Sequence, residues 1–222
     1  MEVVAIALII FGFFCGSIPF AVIVGRRGLK TDIRDYGDGN PGAFNVLRAG
    51  GVTWGGLAIC LEIGKGALPV GLAAYIVGID GVWLNLISIA PPLGHAFSPF
   101  LDFKGGKAIA ASGGVLIGLS LWGLPLVAMT SLVVWYILLT SSGWAVMFTT
   151  ATLLIYEVAA QVNPDWIIST ILLTLLLAHR HRAELTRLPQ IKPNLLRRFF
   201  PSTTENDHDS GDHVHNGSPD RH

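Results

Sequence analysis

Long apolar runs, separated by short polar segments, dominate the pattern of the chain. The first run, residues 3–25, is long enough to cross a bilayer, because about 20 helical residues span the hydrocarbon core. No basic n-region precedes it and it has no obvious small-residue cleavage site, which favours a retained transmembrane helix over a signal peptide. Further apolar runs occupy residues 51–77, 81–100, 108–120, 121–140, 144–161 and 165–179. The pattern predicts an all-α polytopic integral membrane protein with about seven transmembrane helices.

Prolines interrupt two of these runs. Pro19 removes a backbone donor late in the first run, so we expect a kink there and a neighbouring group that binds the freed carbonyl. Pro91 and Pro92, followed by Gly94, are expected to end or distort the helix of residues 81–100 near its polar end. Both helices are therefore predicted to be irregular.

Two ionisable residues lie inside the apolar run of residues 51–77. Glu62 and Lys65 are separated by a spacing that puts both on one face of a helix. Charged groups are costly in a membrane unless they are paired or face a polar cavity. A functional pair and a mutually neutralising structural pair both fit this spacing, and both predict that the side chains face the interior of the bundle.

Composition supports a membrane protein. Of the 222 residues, 51% are apolar and only 14% are charged, whereas soluble domains carry about 25% charged residues. The formal net charge is zero, which gives no indication of a nucleic-acid partner. Cys15 and Cys60 both lie in apolar runs, where buried thiols are favoured over a disulfide or a metal pair.

The basic residues are distributed unevenly. All but one of the 15 Lys and Arg residues lie in alternate polar segments or after the last apolar run, and the exception is Lys65. The positive-inside rule makes the side with these segments cytoplasmic, which leaves the N-terminus outside and the C-terminus in the cytoplasm. Residues 26–48, residues 104–107 and the C-terminal segment are then expected at one membrane face.

The polar segments on that face carry the candidate chemistry. Residues 37–48 contain glycines, a proline, two asparagines, an acid and Arg48, more than a connecting loop needs. Lys104 and Lys107 flank a diglycine, which is suited to holding an anion, although a basic turn at the membrane surface is the alternative. Together these segments predict a cationic pocket for a phosphorylated small molecule, with an acyl chain in the adjacent apolar bundle.

The composition changes from Arg180 onwards. A basic segment is followed by a tail with almost no apolar residues, which we expect to be disordered. The tail's histidines do not predict a specific metal site, because a disordered tail cannot preorganise ligands. We therefore divide the chain into a membrane-embedded domain at residues 1–188 and a basic, then disordered, cytoplasmic tail at residues 189–222.

Several motifs occur in order along the membrane-embedded domain. They are Gly16-Ser17-Ile18-Pro19-Phe20, Asp32-Ile33-Arg34, Gly37-x-Gly39-Asn40-Pro41-Gly42-Ala43-x-Asn45-Val46-Leu47-Arg48, Glu62-x-x-Lys65-Gly66, Gly94-His95-x-Phe97, Phe103-Lys104-Gly105-Gly106-Lys107 and His181-Arg182-x-x-Leu185-x-Arg187-Leu188. In these motifs and their spacing the chain resembles the bacterial membrane acyl-phosphate:glycerol-3-phosphate acyltransferases.

The resemblance implies an enzyme of phospholipid biosynthesis. It would transfer a fatty acyl group from acyl phosphate to the 1-hydroxyl of glycerol 3-phosphate, giving lysophosphatidic acid (1-acylglycerol 3-phosphate) and inorganic phosphate. The resemblance also implies seven transmembrane helices, a place in the bacterial inner membrane with a cytoplasmic active site, and no metal or nucleotide cofactor. The expected partners are these substrates and the lipid bilayer. No nucleic acid is expected, and the oligomeric state stays open.

The motifs supply the candidate site residues. We predict that Arg48, Lys104 and Lys107 bind phosphate groups. His95 and His181 are the candidates for orienting or deprotonating the glycerol hydroxyl, with an interfacial structural role as the alternative for each. The predicted catalytic residues are therefore His95, His181, Arg48 and Lys104. The predicted substrate-binding residues are Gly39, Asn40, Gly42, Asn45, Gly105, Gly106, Lys107 and Arg187.

The chain departs from the family pattern at several positions. Asp38, Phe44 and Glu184 stand where Ser, Thr and Asn are usual, Ala108 replaces a glycine after Lys-Gly-Gly-Lys, and Trp144 lies near an expected serine. An acid at position 38 would repel a substrate phosphate if it took the serine's place. The alternative hypothesis is therefore a membrane protein that binds or transports a phosphate compound or a lipid and has lost the chemistry.

Overall fold

The computed structural model describes residues 1–193, whose regular structure is helical apart from an isolated β-bridge between Leu139 and Ile191. In chain order the α-helices are α1 (Glu2–Ser17), α2 (Phe20–Val24), α3 (Ala43–Gly71), α4 (Gly81–Ala96), α5 (Ile109–Ser120), α6 (Gly123–Leu138), α7 (Ser142–Ala159), α8 (Pro164–Arg180) and α9 (Arg182–Leu185). π-Helical turns extend α2 over Gly25–Leu29 and α3 over Leu72–Val77. The all-α prediction is confirmed. The tail predicted to be disordered lies, from residue 194 onwards, outside the described residues.

Helix length and surface agree with a membrane protein. The segments that are long and apolar enough to cross a membrane are Glu2–Leu29, Ala43–Val77 and Ser142–Ala159, and the shorter apolar helices are Ile109–Ser120 and Gly123–Leu138. Many large apolar side chains on these segments are exposed, as lipid-facing side chains would be. Cys15 and Cys60 are both free thiols, and Cys60 is exposed on the same apolar surface. The prediction of a buried thiol is therefore wrong for Cys60, because an apolar side chain is equally stable against lipid.

The predicted kink at Pro19 is a complete break between α1 and α2. The backbone leaves helical geometry at Ile18 and Pro19, so main-chain polar groups are freed inside an apolar segment. The Ile18 carbonyl accepts a hydrogen bond from Lys65 Nζ at 3.0 Å, and the Ala21 amide donates to Glu62 Oε1 at 3.1 Å. Side chains of α3 thus provide hydrogen bonds for the main-chain groups that the break frees, because polar groups in lipid need a partner within the protein.

The second expected interruption falls after the prolines. Helix α4 ends at Ala96, two residues after Gly94, as expected near its polar end, but it continues through Pro91 and Pro92. The reason lies in the contact between α1 and α4, where a methyl group at Gly16 would overlap the Pro91 main chain and one at Gly94 would overlap that of Phe13. Close packing of the two backbones holds α4 in place where the prolines remove helical hydrogen bonds.

The polar segment of residues 37–48 is a loop only in its first half. Helix α3 begins directly after Gly42, whose extended backbone forms the N-cap. Asn45 and Arg48 therefore lie on a helix rather than in a loop. Gly51, at φ 72°, interrupts the helical geometry and kinks α3, a conformation that glycine adopts at little cost. The first turns of α3 are thus a separate short arm that borders the loop.

Helix α5 lies against α3 at a close crossing of small residues. A methyl group at Gly66 would overlap the Ala111 main chain, and one at Gly114 would overlap that of Ile63. Small residues let the backbones of membrane helices approach closely. The crossing fixes the position of α5 and, with it, the position of residues 104–107, which precede α5 in the chain.

Candidate active site

A cavity of about 440 Å³ lies where α3 and α5 begin and α8 ends. The loop before α3, the loop before α5 and the start of α9 form its wall. Among the predicted site residues, those that line the cavity are Gly39, Asn40, Lys104, Gly105, Lys107 and His181. Asp38, Arg180 and Glu184 also line it. The structure thus brings together the three polar segments that the sequence assigned to one pocket.

Side chains from the first turns of α3 hold the loop that precedes the helix. Asn45 is buried and donates from Nδ2 to Asp38 Oδ1 at 3.1 Å and to the Asn40 carbonyl at 2.9 Å. Arg48 Nη1 in turn donates to Asn45 Oδ1 at 3.1 Å. At Gly37, with φ 61°, a methyl group would overlap the Arg48 and Asn45 side chains. Asn45 and Arg48 therefore position the loop.

The diglycine before α5 is held by an arginine and lies on a histidine. Arg180 donates to the Gly105 carbonyl at 2.6 Å and to the Gly106 carbonyl at 3.1 Å. The Gly106 amide donates to the His95 carbonyl at 3.2 Å. A methyl group at Gly106 would overlap the His95 imidazole at Nε2. Glycine is required here because the loop and the histidine are in direct contact.

A buried charged cluster beneath the diglycine joins α3 to α4. Lys65 Nζ lies 2.6 Å from Glu62 Oε2 and 2.8 Å from His95 Nδ1. His95 Nδ1 also lies 3.0 Å from Glu62 Oε2. The Glu62 and Lys65 side chains are each 1% exposed, so both face the interior of the bundle as predicted. The structure places His95 beneath the loop that borders the cavity.

His181 has one ring nitrogen that carries no hydrogen bond. Its Nδ1 lies 2.9 Å from the Leu177 carbonyl, which can only accept, so Nδ1 carries the proton. Burial lowers the pKa of the His181 imidazole below its ordinary value, which keeps the ring neutral at pH 7. The other nitrogen, Nε2, is then an acceptor, and it is buried without a hydrogen-bond partner among the described residues. His181 is among the residues that line the cavity, so this unpaired acceptor lies in the cavity wall.

Lys107 is clasped by two carboxylates. Its Nζ lies 2.9 Å from Asp38 Oδ2 and 2.6 Å from Glu184 Oε1. The second Glu184 oxygen accepts from the Ser142 hydroxyl and from the Gly143 amide, each at 2.6 Å, at the start of α7. The carboxylate–lysine clasp of Asp38, Lys107 and Glu184 therefore ties the loops before α3 and α5 to α9 and α7.

The clasp is ionised at neutral pH. Burial alone would raise the pKa of the Glu184 carboxyl, but hydrogen bonds from Lys107, Ser142 and Gly143 outweigh it and hold this pKa below its ordinary value. The pKa of Asp38 is likewise lowered, since its hydrogen bonds outweigh the effect of burial. Burial would lower the pKa of Lys107, but its two carboxylate partners raise it. The three groups therefore carry full charges at pH 7.

Two further cations in the cavity wall have no such counter-ion. Within residues 1–193, neither Lys104 nor Arg180 has a carboxylate within ion-pair distance. The Arg180 guanidinium stacks over the Phe97 ring, 5.6 Å from its centre. In the same range, no group of three or more His, Cys, Asp or Glu residues is arranged to hold a metal ion. Two carboxylates and one ammonium leave the clasp with a negative charge, but Lys104 and Arg180 outweigh it, so the net charge of the cavity wall is positive, which suits an anionic ligand.

Comparison with known proteins identifies the family. A family model described as glycerol-3-phosphate acyltransferase matches residues 6–190. This chain belongs to the glycerol-3-phosphate acyltransferase family. The family predicted from the motifs is therefore confirmed, and the matched residues include every segment of the cavity wall.

Curated glycerol-3-phosphate acyltransferases match most of the chain. The protein of Yersinia pestis (strain Pestoides F) is 37% identical over 191 residues, which cover 85% of this chain and 85% of the relative. The protein of Lactiplantibacillus plantarum is 34% identical over 185 residues, which cover 82% of this chain and 88% of the relative. The similarity thus extends over nearly the whole length of these relatives.

Solved structures of the family have the same fold. The crystal structure of PlsY (YgiH), an integral membrane glycerol 3-phosphate acyltransferase, in its glycerol 3-phosphate form matches with a TM-score of 0.75 and 30% identity, and covers 88% of this chain and 98% of that one. Its lysophosphatidic acid form matches with a TM-score of 0.73. The predicted integral membrane class is thereby confirmed. Nothing in these comparisons favours the non-catalytic alternative.

Two further departures from the family pattern, Phe44 and Trp144, have structural partners. Phe44 stacks on Tyr136 at the end of α6, with ring centres 6.2 Å apart. Trp144 Nε1 donates to the Arg187 main-chain carbonyl at 2.6 Å. The Arg187 side chain is exposed. Among the described residues it is not part of the cavity wall, whereas Lys104 is. Arg187 is thus held through its main chain.

Sequence reasoning missed Arg180 as a site residue. In the sequence it is only the start of a basic segment, although in the structure it carries the hydrogen bonds that hold the diglycine. The signal was its position directly before His181, at the end of a helix that leads to the cavity.

The predicted residues Gly42 and Gly106 lie next to lining residues rather than among them. Their contribution is to the course of the main chain.

A methyl group at position 106 should disturb the cavity in this family member. Gly106→Ala is expected to lower kcat/KM for acyl transfer by about tenfold to a hundredfold, because the methyl group must displace the loop or His95. Gly113→Ala is the matched control, since a methyl group there meets no atom within 4 Å. Steady-state assays of both purified variants test the expectation, and equal activity in the two would contradict it.

Proposed function

We infer that this chain transfers an acyl group from acyl phosphate to the 1-hydroxyl of glycerol 3-phosphate. The products are 1-acylglycerol 3-phosphate and inorganic phosphate, and the reaction belongs to phospholipid synthesis. One observation carries the inference for this chain: Lys104 and Arg180, without counter-ions among the described residues, line the same cavity as His181, whose buried Nε2 has no hydrogen-bond partner among those residues. A phosphate-bearing alcohol needs both a positively charged binding site for its phosphate and an acceptor for its hydroxyl proton.

We propose that phosphate groups are held by three predicted cations and the adjacent loops. Lys104 and Lys107 border the cavity directly, while Arg48 braces the loop before α3 and adds positive charge beside it. The Gly105 amide and the Asn40 side-chain amide would add donors to the binding site, whereas the amides of Gly39, Gly42 and Gly106 and the Asn45 side chain hold the loops through bonds within the chain. Acyl phosphate is already activated, so positioning two anionic substrates and stabilising the developing charge are the main requirements.

The two histidines have different proposed roles. We propose that His181 Nε2 accepts the proton of the attacking hydroxyl as its oxygen bonds to the acyl carbon and phosphate leaves. This assignment rests on three observations: His181 lines the cavity, its Nδ1 donates to the Leu177 carbonyl, and its buried Nε2 has no hydrogen-bond partner among the described residues. His95 has its Nδ1 engaged with Glu62 and Lys65, so we assign it to support of the diglycine.

The proposed placement in the membrane follows the charge distribution. We propose that α1 with α2, and then each helix from α3 to α8, cross the inner membrane, about seven crossings in all. The N-terminus is then outside, and the cavity and the C-terminus face the cytoplasm. Residues 1–188 form the membrane-embedded catalytic domain, and residues 189–222 are its cytoplasmic tail. The acyl chain of the donor would lie among the apolar helices next to the cavity.

Activity of the purified protein tests this proposal. Incubation with acyl phosphate and glycerol 3-phosphate should yield lysophosphatidic acid and an equal amount of phosphate. Lys104→Ala is expected to lower kcat/KM by about a hundredfold to a thousandfold, because a charged group at the reacting phosphate is removed. Lys30→Ala, an exposed lysine in the first polar segment, is the matched control and should leave the rate unchanged.

Two outcomes would contradict the proposal. One is the absence of lysophosphatidic acid under conditions in which a related glycerol-3-phosphate acyltransferase is active. The other is an equal loss of rate in the Lys104 and Lys30 variants, which would mean that the cavity charge has no special role. Assays with other polyol phosphates as acceptors would then identify the substrate class.

A further inference from the structure

The cavity contains two carboxylates that a phosphate-binding site would not be expected to hold. Asp38 and Glu184 both line it, and both bind Lys107. The Lys107 side chain is only 23% exposed, and its two partners are 45% and 28% exposed. Lys107 is therefore the cavity cation whose charge is already neutralised within the chain.

The Glu184 carboxylate has the surroundings that a bound anion would have. It contacts an ammonium group, a hydroxyl and an amide in the first turn of α7, each at 2.6 Å. Ammonium groups, hydroxyls and helix N-termini are the donors that proteins use for phosphate. These two carboxylates take two of the three Lys107 ammonium hydrogens, so a phosphate oxygen that reached Lys107 would either replace one of them or bind the third hydrogen close to both negative charges.

The alternative is that the carboxylates are purely structural ties. In that case their loss would loosen the loops before α3 and α5, and phosphate would bind less tightly. The two possibilities thus predict opposite changes in phosphate affinity, because one treats the acids as competitors of the ligand and the other as supports of its site.

We propose that Asp38 and Glu184 are affinity-determining residues that compete with phosphate for Lys107. This inference rests on the proposed acyl transfer, in which inorganic phosphate is a product that must leave the cavity. By occupying Lys107, the carboxylates leave Lys104 and Arg180 as the unneutralised cations of the described cavity wall. They keep the affinity for phosphate moderate, so that the product is released and inhibits the next turnover weakly.

Neutral isosteric variants test the proposal. Asp38→Asn and Glu184→Gln keep the shape of each side chain and remove its charge. Each is expected to tighten inorganic phosphate binding by about threefold to tenfold, the range of a partly exposed charge interaction. Asp35→Asn removes an exposed acid from the same polar segment and should change nothing. The measurements are equilibrium dialysis with labelled phosphate and inhibition of acyl transfer by phosphate.

The outcomes separate this inference from the proposed function. Unchanged or weaker phosphate binding in both Asp38→Asn and Glu184→Gln would overturn the inference, and so would equal tightening in Asp35→Asn, which would indicate a general charge effect. Dialysis needs no turnover. If the wild-type protein forms no lysophosphatidic acid but the variants bind phosphate more tightly, the competition stands and the acyl-transfer proposal fails. If turnover is normal but phosphate binding is unchanged in the variants, acyl transfer stands and the competition fails.

Discussion

Glu62→Ala is expected to lower the free energy of unfolding by about 3 to 5 kcal/mol, the cost of leaving a buried charge without its partner. Removal of the carboxylate leaves the Lys65 ammonium beside His95, with both side chains buried. It also leaves the Ala21 amide without its acceptor at the break between α1 and α2. Denaturant-induced unfolding of the protein in detergent micelles measures the difference.

A second carboxylate provides the control for Glu62. Glu2→Ala removes an exposed acid at the start of α1 and should change the free energy of unfolding by less than about 0.5 kcal/mol. The double variant Glu62→Leu with Lys65→Leu should lose less stability than Glu62→Ala alone, since it leaves no unpaired charge in place. If Glu62→Ala were as stable as Glu2→Ala, the buried pair of Glu62 and Lys65 would not stabilise the break between α1 and α2.

Arg180→Ala is expected to lower kcat/KM by about a hundredfold to a thousandfold, because a displacement of the order of 1 Å near a reacting centre costs about a hundredfold. The loss combines two effects. The Gly105 and Gly106 carbonyls lose the guanidinium that holds them, and the cavity loses a positive charge. Rates measured at several glycerol 3-phosphate concentrations should show a raised KM as well as a lowered kcat.

Arg182 provides a control that distinguishes the contacts of Arg180 from its charge. Arg182→Ala removes the same charge two residues further on, where the side chain is exposed and bonds only to His179 within the described residues. Its kcat/KM should stay within about threefold of the wild-type value, as for an exposed charge. If the two variants lost activity equally, the contacts of Arg180 with the diglycine would not account for its effect.

Much of the fold could be predicted from the sequence because lipid imposes simple rules. Apolar runs of the right length gave the helices, and the interior orientation of Glu62 and Lys65 followed from the cost of charge in a membrane. The helix through Pro91 and Pro92 was not predictable in this way. It depends on the packing of Gly16 and Gly94 between α1 and α4, which is a contact between distant parts of the chain.

The candidate site shows a similar division. Glycines, amides and lysines concentrated in a few polar segments identified the pocket, and Lys104, Lys107 and His181 do line one cavity. The sequence left the effect of Asp38 open, since a lone acid repels phosphate whereas an acid bound to Lys107 is neutralised. Only the folded chain brings Glu184 to the same lysine. Pairing across about 70 or 80 positions carries no local pattern.

The break at Ile18 and Pro19 has a consequence for biogenesis. Inserted alone, the first segment would carry an unmet carbonyl and an unmet amide into lipid, and α3 alone would carry the charges of Glu62 and Lys65. Each segment supplies what the other lacks. We therefore expect insertion to be least costly when the first segment and α3 enter the bilayer together, as one hairpin.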